Sequence, residues 1–542
     1  MQRDQVGEFC KNTASKMEVN NTVCILTAGK GSRMGSLGLK LAKALHPIGS
    51  KAIISHIIEK FPPKTFFVIG IGFHGNQIKQ YLSIAHEDIS FAFVDIDKYE
   101  GPESGPGYSL MCCKKHLQKP FYFVSCDTLW KNEVNWSLKD NWLGVDSVTV
   151  DESVNYCNLK IKNDIVVGIS DKKKSDPKDY KAFVGLCHIK DYQIFWESLS
   201  SNKIIDNEHQ ISNGILGLIS NSEVYPVDIH WTDVGDEKKY KKVLMKYENY
   251  DFSKRDESLY IINNKVIKFF NDAQITARRV KKSKINKNIF PKIDSYSNQF
   301  YSYNFLEGDT LYKKNNIEIF GKLLNWLHND VWIKKEKNYD VIKKACYKFY
   351  KEKTDVRLKL FFKKYLNINQ NLPINGIIVP PIASTIDKLP WDDLLNGIPT
   401  FIHGDLQFDN IIYNSEKKKF TLLDWRQDFA GNLDFGDLYY DLAKLYGGII
   451  LNYDLIKLNL FDYYEDKKQI SIDFSQRYQS QSYIKILEKY IVDNGYNLKK
   501  IKILVGLIYL NMSPLHHAPF DKLLFHFGRL LVFKELKKND TN

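Results

Sequence analysis

No apolar run in the 542-residue sequence approaches the eighteen or so residues that a membrane-spanning helix needs. The longest, such as residues 23–26 and 505–510, are a few residues each, which excludes a transmembrane channel or transporter. Cysteine is sparse as well: eight in all, seven of them before residue 188, with no C-x-x-C pair and no Cys/His ligand spacing. That pattern argues against structural zinc and against a disulfide framework. The opening MQRDQVGEFCKNTASKMEVNN has no apolar segment of the secretory type, so a solvated tail and a cytoplasmic protein are expected. Internal repeats and low-complexity stretches are missing too, which removes solenoids and fibrous folds.

What is present is an ordinary globular balance, 44% hydrophobic and 26% charged, in a chain long enough for two to four domains. The net charge of +13 is spread over short basic runs at 172–174, 278–287, 334–337, 417–419 and 537–538 rather than gathered into one arm. It reads as a solvated surface, and no nucleic-acid partner is expected. From residue 22 to about 250, short β-rich runs (VCIL, TFFVIGIG, ISFAFVDI, FYFVSCD, KAFVGLCHI, EVYPVDIHW) alternate with helix-like stretches. Alternation of this kind predicts a Rossmann-like α/β domain with a mostly parallel sheet. A polar linker is expected at 251–257, after which LYIINNKVIKFF opens an α+β region with a small lobe to about 312 and a mostly helical lobe beyond 317. The expected organisation is therefore a tail at 1–21, a first domain at 22–250 and a second, two-lobed domain at 258–542.

The first candidate site begins where VCIL runs into a turn with Gly29, Gly31 and Gly35, plus Lys30 and Arg33. Glycine permits close approach of backbone N–H groups to phosphate, although this turn is neither the dinucleotide fingerprint nor a Walker loop. Leu26 to Met34 resembles the L-x-A-G-x-G-x-R-M opening of the nucleotidyltransferases that activate sugar 1-phosphates or phosphocholine. Lys43 and Leu45 continue the likeness, with Ala42 where that family has Pro, and Lys51 takes the following lysine position. The resemblance implies nucleotide contacts at Ala28, Gly29, Gly31, Gly105 and Gly107. It implies Mg²⁺ ligands at Asp127, which ends the strand FYFVSCD, and at Asp233 in Trp231-Thr232-Asp233-Val234-Gly235. Arg33 and Lys43 become catalytic cations, and Lys172 falls where an acceptor-phosphate lysine is expected, although Asp171 and Lys173 replace the usual Glu and Pro. Joining two polyanions at phosphorus requires this charge neutralisation and needs no general base, because the nucleophile is already an ionised phosphate.

The second candidate site is His403-Gly404-Asp405-Leu406-Gln407-Phe408-Asp409-Asn410, followed after a hairpin by Asp424-Trp425. Asp405 and Asn410 keep the spacing of the kinase catalytic loop, which assigns Asp405 to the acceptor hydroxyl and Asn410 and Asp424 to Mg²⁺. With the later Gly436-Asp437 and Asp441, the motif resembles the aminoglycoside phosphotransferase and choline kinase family, small-molecule relatives of the protein kinases. That resemblance makes Lys268 the nucleotide-phosphate lysine and Asp441 a structural brace. Two departures stand out: residues 271–290 contain no Glu to pair with Lys268, and Trp425 is followed by Arg426, Gln427 and Asp428 where choline kinases carry an aromatic and a Glu.

The fusion implies consecutive steps, in which ATP phosphorylates a hydroxyl and the product attacks a second NTP. A sugar acceptor for a surface glycan is the principal expectation. Choline or another amino alcohol with a cytidylyltransferase is the alternative, and a non-catalytic nucleotide sensor or scaffold is the competing class. The sequence leaves the base preference and the oligomeric state open, a homo-oligomer included.

Overall fold

The computed structural model describes residues 21–200, 204–205, 208–246 and 256–538. All of the expected tail but Asn21, which begins the first strand, and most of the expected linker lie outside the described residues. The chain divides into two compact units, residues 1–244 and 245–542.

The first unit is built on β1 (Asn21–Leu26), β2 (Thr65–Ile71), β3 (Phe91–Asp95) and β4 (Phe121–Ser125), which pair in parallel in the order β3-β2-β1-β4. The strands β1 and β4 are covered on both faces, with Val23, Cys24, Ile25, Phe121 and Val124 fully buried, which is why they read as unbroken apolar runs. Helices α1 (Ile53–Ile58), α2 (Gly75–Ala85) and α3 (Pro106–Cys113) occupy the intervals between these strands. A short β5 (Thr128–Trp130) follows β4, and β6 (Asn141–Asp146), β7 (Cys157–Lys162), β8 (Ile165–Asp171), β9 (Tyr180–Ile189) and β10 (Val224–Asp228) extend the sheet to nine strands. Here β9 runs antiparallel to β4, β6 and β7, because the 157–189 stretch turns back through a hairpin instead of crossing over by a helix. Only β6 and β10 restore a parallel pair. The sheet changes direction of winding at β1 and β4, and the carboxyl ends of strands at such a switch point are where α/β sheets bind ligands. The two-stranded ribbon of β5 with β11 (Trp231–Asp233) stands at that place, with Asp233 opposite Thr128.

The second unit opens with an antiparallel sheet of β12 (Glu257–Ile262), β13 (Lys265–Phe270), β14 (Ile293–Tyr296) and β15 (Phe300–Asn304), in the order β12-β13-β15-β14. Asn263 and Asn264 both take positive φ, the conformation a two-residue hairpin turn requires. Helix α4 (Ala273–Ser283) is capped at its start by the Asp272 side chain. Beyond residue 311 the lobe is helical, and a π-helical turn at Tyr347–Glu352 leads into α5 (Lys353–Lys364). Further helices include α6 (Leu438–Ile450), α7 (Leu498–Met512) and α8 (Phe520–Lys537). A four-stranded sheet of residues 372–379 and 461–474, which the sequence expectation omitted, is added to this lobe. The hairpin of β16 (Ile411–Asn414) and β17 (Lys419–Leu422) carries the loop to residue 424 as expected. Among the described residues, no helix is long and apolar enough to cross a membrane.

Candidate functional sites

In the first unit the Gly-rich turn leaves β1 with Gly31 in the left-handed region, at φ 63°. A Cβ there would meet the Lys43 side chain at 3.3 Å, whereas one at Gly29 would meet nothing, so Gly29 presents an open backbone edge. Ala28 is buried and its carbonyl accepts the Phe73 N–H at 2.9 Å, which anchors the base of the turn. Lys43 donates from Nζ to Asp127 Oδ2 at 2.6 Å and to the Gly235 carbonyl at 2.9 Å. Asp127 and Asp233, distant in sequence, lie on the same side of Gly235: a Cβ on that glycine would meet Asp233 Oδ1 at 2.7 Å and Asp127 Oδ2 at 3.1 Å. Burial pushes the Asp127 carboxyl up, but Lys43 and then Arg33 pull it below the ordinary carboxylate range. Arg33 itself is exposed on the turn.

Two further residues complete this cluster without having been read from the sequence. Lys239 Nζ sits 2.5 Å from Asp233 Oδ2 and 2.8 Å from the Tyr156 hydroxyl, which donates to the same carboxylate at 3.0 Å. Burial opposes its charge, yet the contacts with Asp233 and Tyr156 hold the Lys239 ammonium above its ordinary value. Lys239 lies early in the helix after the W-x-D-x-G element, a position the sequence could have flagged; nothing in the sequence pointed to Tyr156. Lys172 is exposed, and its backbone N–H donates to the Tyr156 carbonyl at 3.0 Å, next to this cluster. Gly105 and Gly107 have a packing reason: a Cβ on either would fall within 2.8 Å of the His209 carbonyl.

In the second unit the loop from His403 to Asn410 is held from beneath by Asp441, as expected. Its carboxylate accepts the His403 and Gly404 backbone N–H groups, each at 2.7 Å, and the Trp332 indole N–H at 3.1 Å. Burial raises the Asp441 carboxyl to about 6 against the lowering pull of those donors. His403 is fully buried, and burial pushes its ring down to about 4, so it is neutral. Its Nε2 donates to the Leu423 carbonyl at 2.7 Å and its Nδ1 accepts the Asp405 N–H at 3.2 Å, which ties the loop to the strand end that carries Asp424. Asn410 donates from Nδ2 to the Asp405 carbonyl at 2.8 Å.

Lys268 finds its acid in Asp424, with Nζ 2.5 Å from Oδ1. Helix α4 brings no carboxylate to that pair. It brings Arg279, 3.8 Å from the same oxygen and stacked over Phe270. Asp405, Asn410, Asp424 and Arg279 open onto one cavity of about 290 Å³. Lys444, on α6 one turn beyond Asp441, reaches Asp405 Oδ1 at 2.6 Å and was not anticipated from the sequence. The cavity is also lined by Lys353, Arg357 and Arg426.

Among the described residues, no three His, Cys, Asp or Glu side chains gather closely enough to hold a metal by themselves. Mg²⁺ binds through one or two carboxylates together with substrate phosphates, so Asp127 with Asp233, and Asn410 with Asp424, are donor sets that fit it.

Comparison with known proteins agrees with this division. Residues 23–151 match the family model of the MobA-like NTP transferase domain, and residues 383–460 match the phosphotransferase enzyme family. The chain joins an NTP transferase domain to a phosphotransferase domain. Both are families of enzymes. The bifunctional protein GlmU of Methanocaldococcus jannaschii is 26% identical over 252 residues, 45% of this chain and 59% of that protein. A bifunctional IPC transferase and DIPP synthase of Archaeoglobus fulgidus is 28% identical over 128 residues, 23% of this chain and 24% of that protein. The chain thus spans little more than half the length of the GlmU relatives at most. Among solved structures, a UDP-glucose pyrophosphorylase complexed with UDP-glucose matches at 16% identity and a TM-score of 0.37, covering 42% of this chain and 98% of that one. A putative glucose-1-phosphate thymidylyltransferase from Bacillus anthracis matches at 18% and 0.36, covering 43% and 98%.

Proposed function

We propose that the phosphotransferase domain moves the γ-phosphoryl group of ATP to a hydroxyl of a small metabolite, most plainly a sugar. The NTP transferase domain then joins the resulting phosphate to an NTP, releasing pyrophosphate. One observation carries this reading: each unit places a lysine on a metal-capable aspartate, Lys43 on Asp127 and Lys268 on Asp424. Such a pair suits a site where phosphate must be held and its charge neutralised.

In the kinase step Asp405 orients the acceptor hydroxyl and takes its proton as the new O–P bond forms. The bond from the γ-phosphorus to the bridging oxygen breaks and ADP leaves. Lys268 steadies the nucleotide phosphates, and Lys444 offsets charge beside Asp405. In the second step an oxygen of the phosphate monoester attacks the α-phosphorus of the NTP, and the bond to the pyrophosphate oxygen breaks. Lys43 and Arg33 offset the charge on the two phosphates, while Ala28, Gly29 and Gly31 line the nucleotide with backbone. Lys172 remains the candidate for the acceptor phosphate. Mg²⁺ held by Asp127 with Asp233, or by Asn410 with Asp424, would supply charge neutralisation and phosphate alignment.

One ring of the cavity lining, Phe349, favours the sugar over the amino-alcohol alternative, although Tyr350, Tyr440, Tyr453 and the acids Asp405, Asp409 and Asp424 line the cavity too. A quaternary ammonium needs open aromatic faces and acids. Here Phe349 is already covered by Lys353, 4.0 Å from the ring centre, and by Arg426 at 4.9 Å. An NDP-activated product is the class of donor used in surface glycan assembly.

The test is mass spectrometry of the full chain with Mg²⁺, ATP, CTP, UTP, GTP, dTTP and pooled sugars and amino alcohols. A phosphorylated acceptor and its NDP conjugate are expected together. Asp405→Ala should abolish the first and leave conjugation of pre-phosphorylated acceptor intact, with Asp127→Ala doing the reverse. Loss of both activities in both variants would replace two sites with one composite site, and nucleotide binding without any product would favour the sensor reading.

A further inference from the structure

Besides Arg279, which sits by Asp424, four cations line the cavity that contains Asp405. Lys353 and Arg357 stand one turn apart at the start of α5, directly after the π-helical turn that supplies Phe349 and Tyr350. Arg426 follows the Asp424 loop, and Lys444 comes from α6. Lys444 has its counter-ion in Asp405. Among the described residues, Lys353, Arg357 and Arg426 have no carboxylate within ion-pair reach, and the buried Nε of Arg426 has no hydrogen-bond partner.

This arrangement is unfavourable for the protein by itself. Like charges one helical turn apart repel, and the Phe349 ring under Lys353 and Arg426 returns only part of the solvation that burial removes. The consequence is visible in the groups themselves: burial first, then Arg426, Arg357 and Lys444, hold Lys353 well below the ordinary lysine range. Burial and Arg426 lower Arg357 in the same direction. Of the acids lining the cavity, Asp405 is the one that acts on Lys353, and Lys444 already engages it.

We propose that Lys353, Arg357 and Arg426 form a subsite for an oxyanion carried by the acceptor, a carboxylate or a phosphate separate from the hydroxyl that is phosphorylated. The acceptor of the phosphotransferase domain is then acidic, a sugar acid or a phosphorylated alcohol, with its anionic group held by the three cations and its hydroxyl turned to Asp405. This assignment rests on the kinase reading for the direction of the hydroxyl. The anion subsite itself rests on the cations alone. Arginine suits the role because its planar fork can grip two oxygens at once.

The test titrates inorganic phosphate calorimetrically into the full chain saturated with MgAMP-PNP, which fills the γ-phosphate position. Arg357→Ala and Lys353→Met are compared with the parent chain, so that any anion binding in the first unit is a constant background. A phosphate affinity at least tenfold weaker in each variant, with MgAMP-PNP affinity within twofold of the parent, is expected. Each variant removes one of a set of repelling charges, so an unliganded melting temperature no lower than the parent's is expected as the check on folding. Phosphate binding that is missing from the parent or equal in the variants overturns the proposal. So does a parallel loss of MgAMP-PNP affinity, which would give the cluster to the nucleotide. In a second arm ADP release is followed with glucose against glucuronate and glycerol against glycerate. The acidic member should be favoured at least tenfold in the parent, with the preference lost in Arg357→Ala. A preference for the neutral members overturns the acceptor assignment. If the parent fails to bind MgAMP-PNP while phosphate binding still depends on Arg357, the kinase reading fails and the anion subsite stands.

Discussion

Lys444 Nζ lies 2.6 Å from Asp405 Oδ1, and it reaches there from a nearly fully buried position on the helix whose preceding turn carries Asp441. The same helix therefore braces the loop from below through Asp441 and balances the Asp405 carboxylate from the side through Lys444. Lys444→Met should lower the kcat of phosphoryl transfer by roughly 10² to 10³, the range for losing one preorganised electrostatic partner. The KM for ATP should stay within a few fold. Steady-state kinetics with ATP and the identified acceptor decide between this and a purely structural lysine, which would change the melting temperature and leave kcat alone.

Asp441 accepts three N–H donors in the interior, so Asp441→Ala strands all of them. Buried donors without partners cost about 1 to 3 kcal/mol each. Destabilisation of roughly 3 kcal/mol or more is expected in the second unit, together with loss of phosphoryl transfer. Denaturant unfolding measures the first effect. Nucleotidyl transfer from pre-phosphorylated acceptor should persist under conditions where the first unit stays folded.

Gly235 is the point on which the first site closes. Gly235→Ala places a methyl group against Asp233 Oδ1 and Asp127 Oδ2. Pyrophosphate release should fall by about 10-fold to 10²-fold, the scale on which small displacements of aligned groups act. Phosphorylation by the second unit should be unchanged, and coupled assays of the two half-reactions in one preparation test both statements.

His46 and His86 are buried in the first unit, and burial lowers each ring to about 4 from an unfolded value of 6.5. Between these values the unfolded chain binds protons that the folded chain does not, so stability falls as pH drops from 6.5 to 4 and is insensitive to these rings above that window. At most about 3 kcal/mol per ring is at stake. Melting curves at pH 7, 5.5 and 4.5 should show the decline, and His46→Gln combined with His86→Gln should flatten it. An equally steep decline in the double variant would assign the acid sensitivity to other groups.

Much of the fold was readable because its signals are local. Buried parallel strands read as apolar runs at 23–26 and 121–124, the paired asparagines at 263 and 264 mark a tight turn, and the interval from Asp405 to Asn410 is short enough for the Asn410 side chain to reach back to the Asp405 carbonyl. The antiparallel extension at 157–189 and the added sheet of 372–379 with 461–474 were less clear, since strand partners in these segments are chosen by packing rather than by neighbouring residues.

The sequence by itself determined two phosphate-handling domains, their order, and the loops that carry Gly31, Asp127, Asp405 and Asp424, because turn chemistry and hydrophobic period act over a few residues. Only the tertiary structure decided which charges meet. It paired Lys268 with Asp424 in place of an acid from α4, set Lys239 and Tyr156 on Asp233, and crowded Lys353, Arg357 and Arg426 around one cavity. Electrostatic contacts depend on distance in space and on the water that burial removes, and neither quantity is written in the order of residues along the chain.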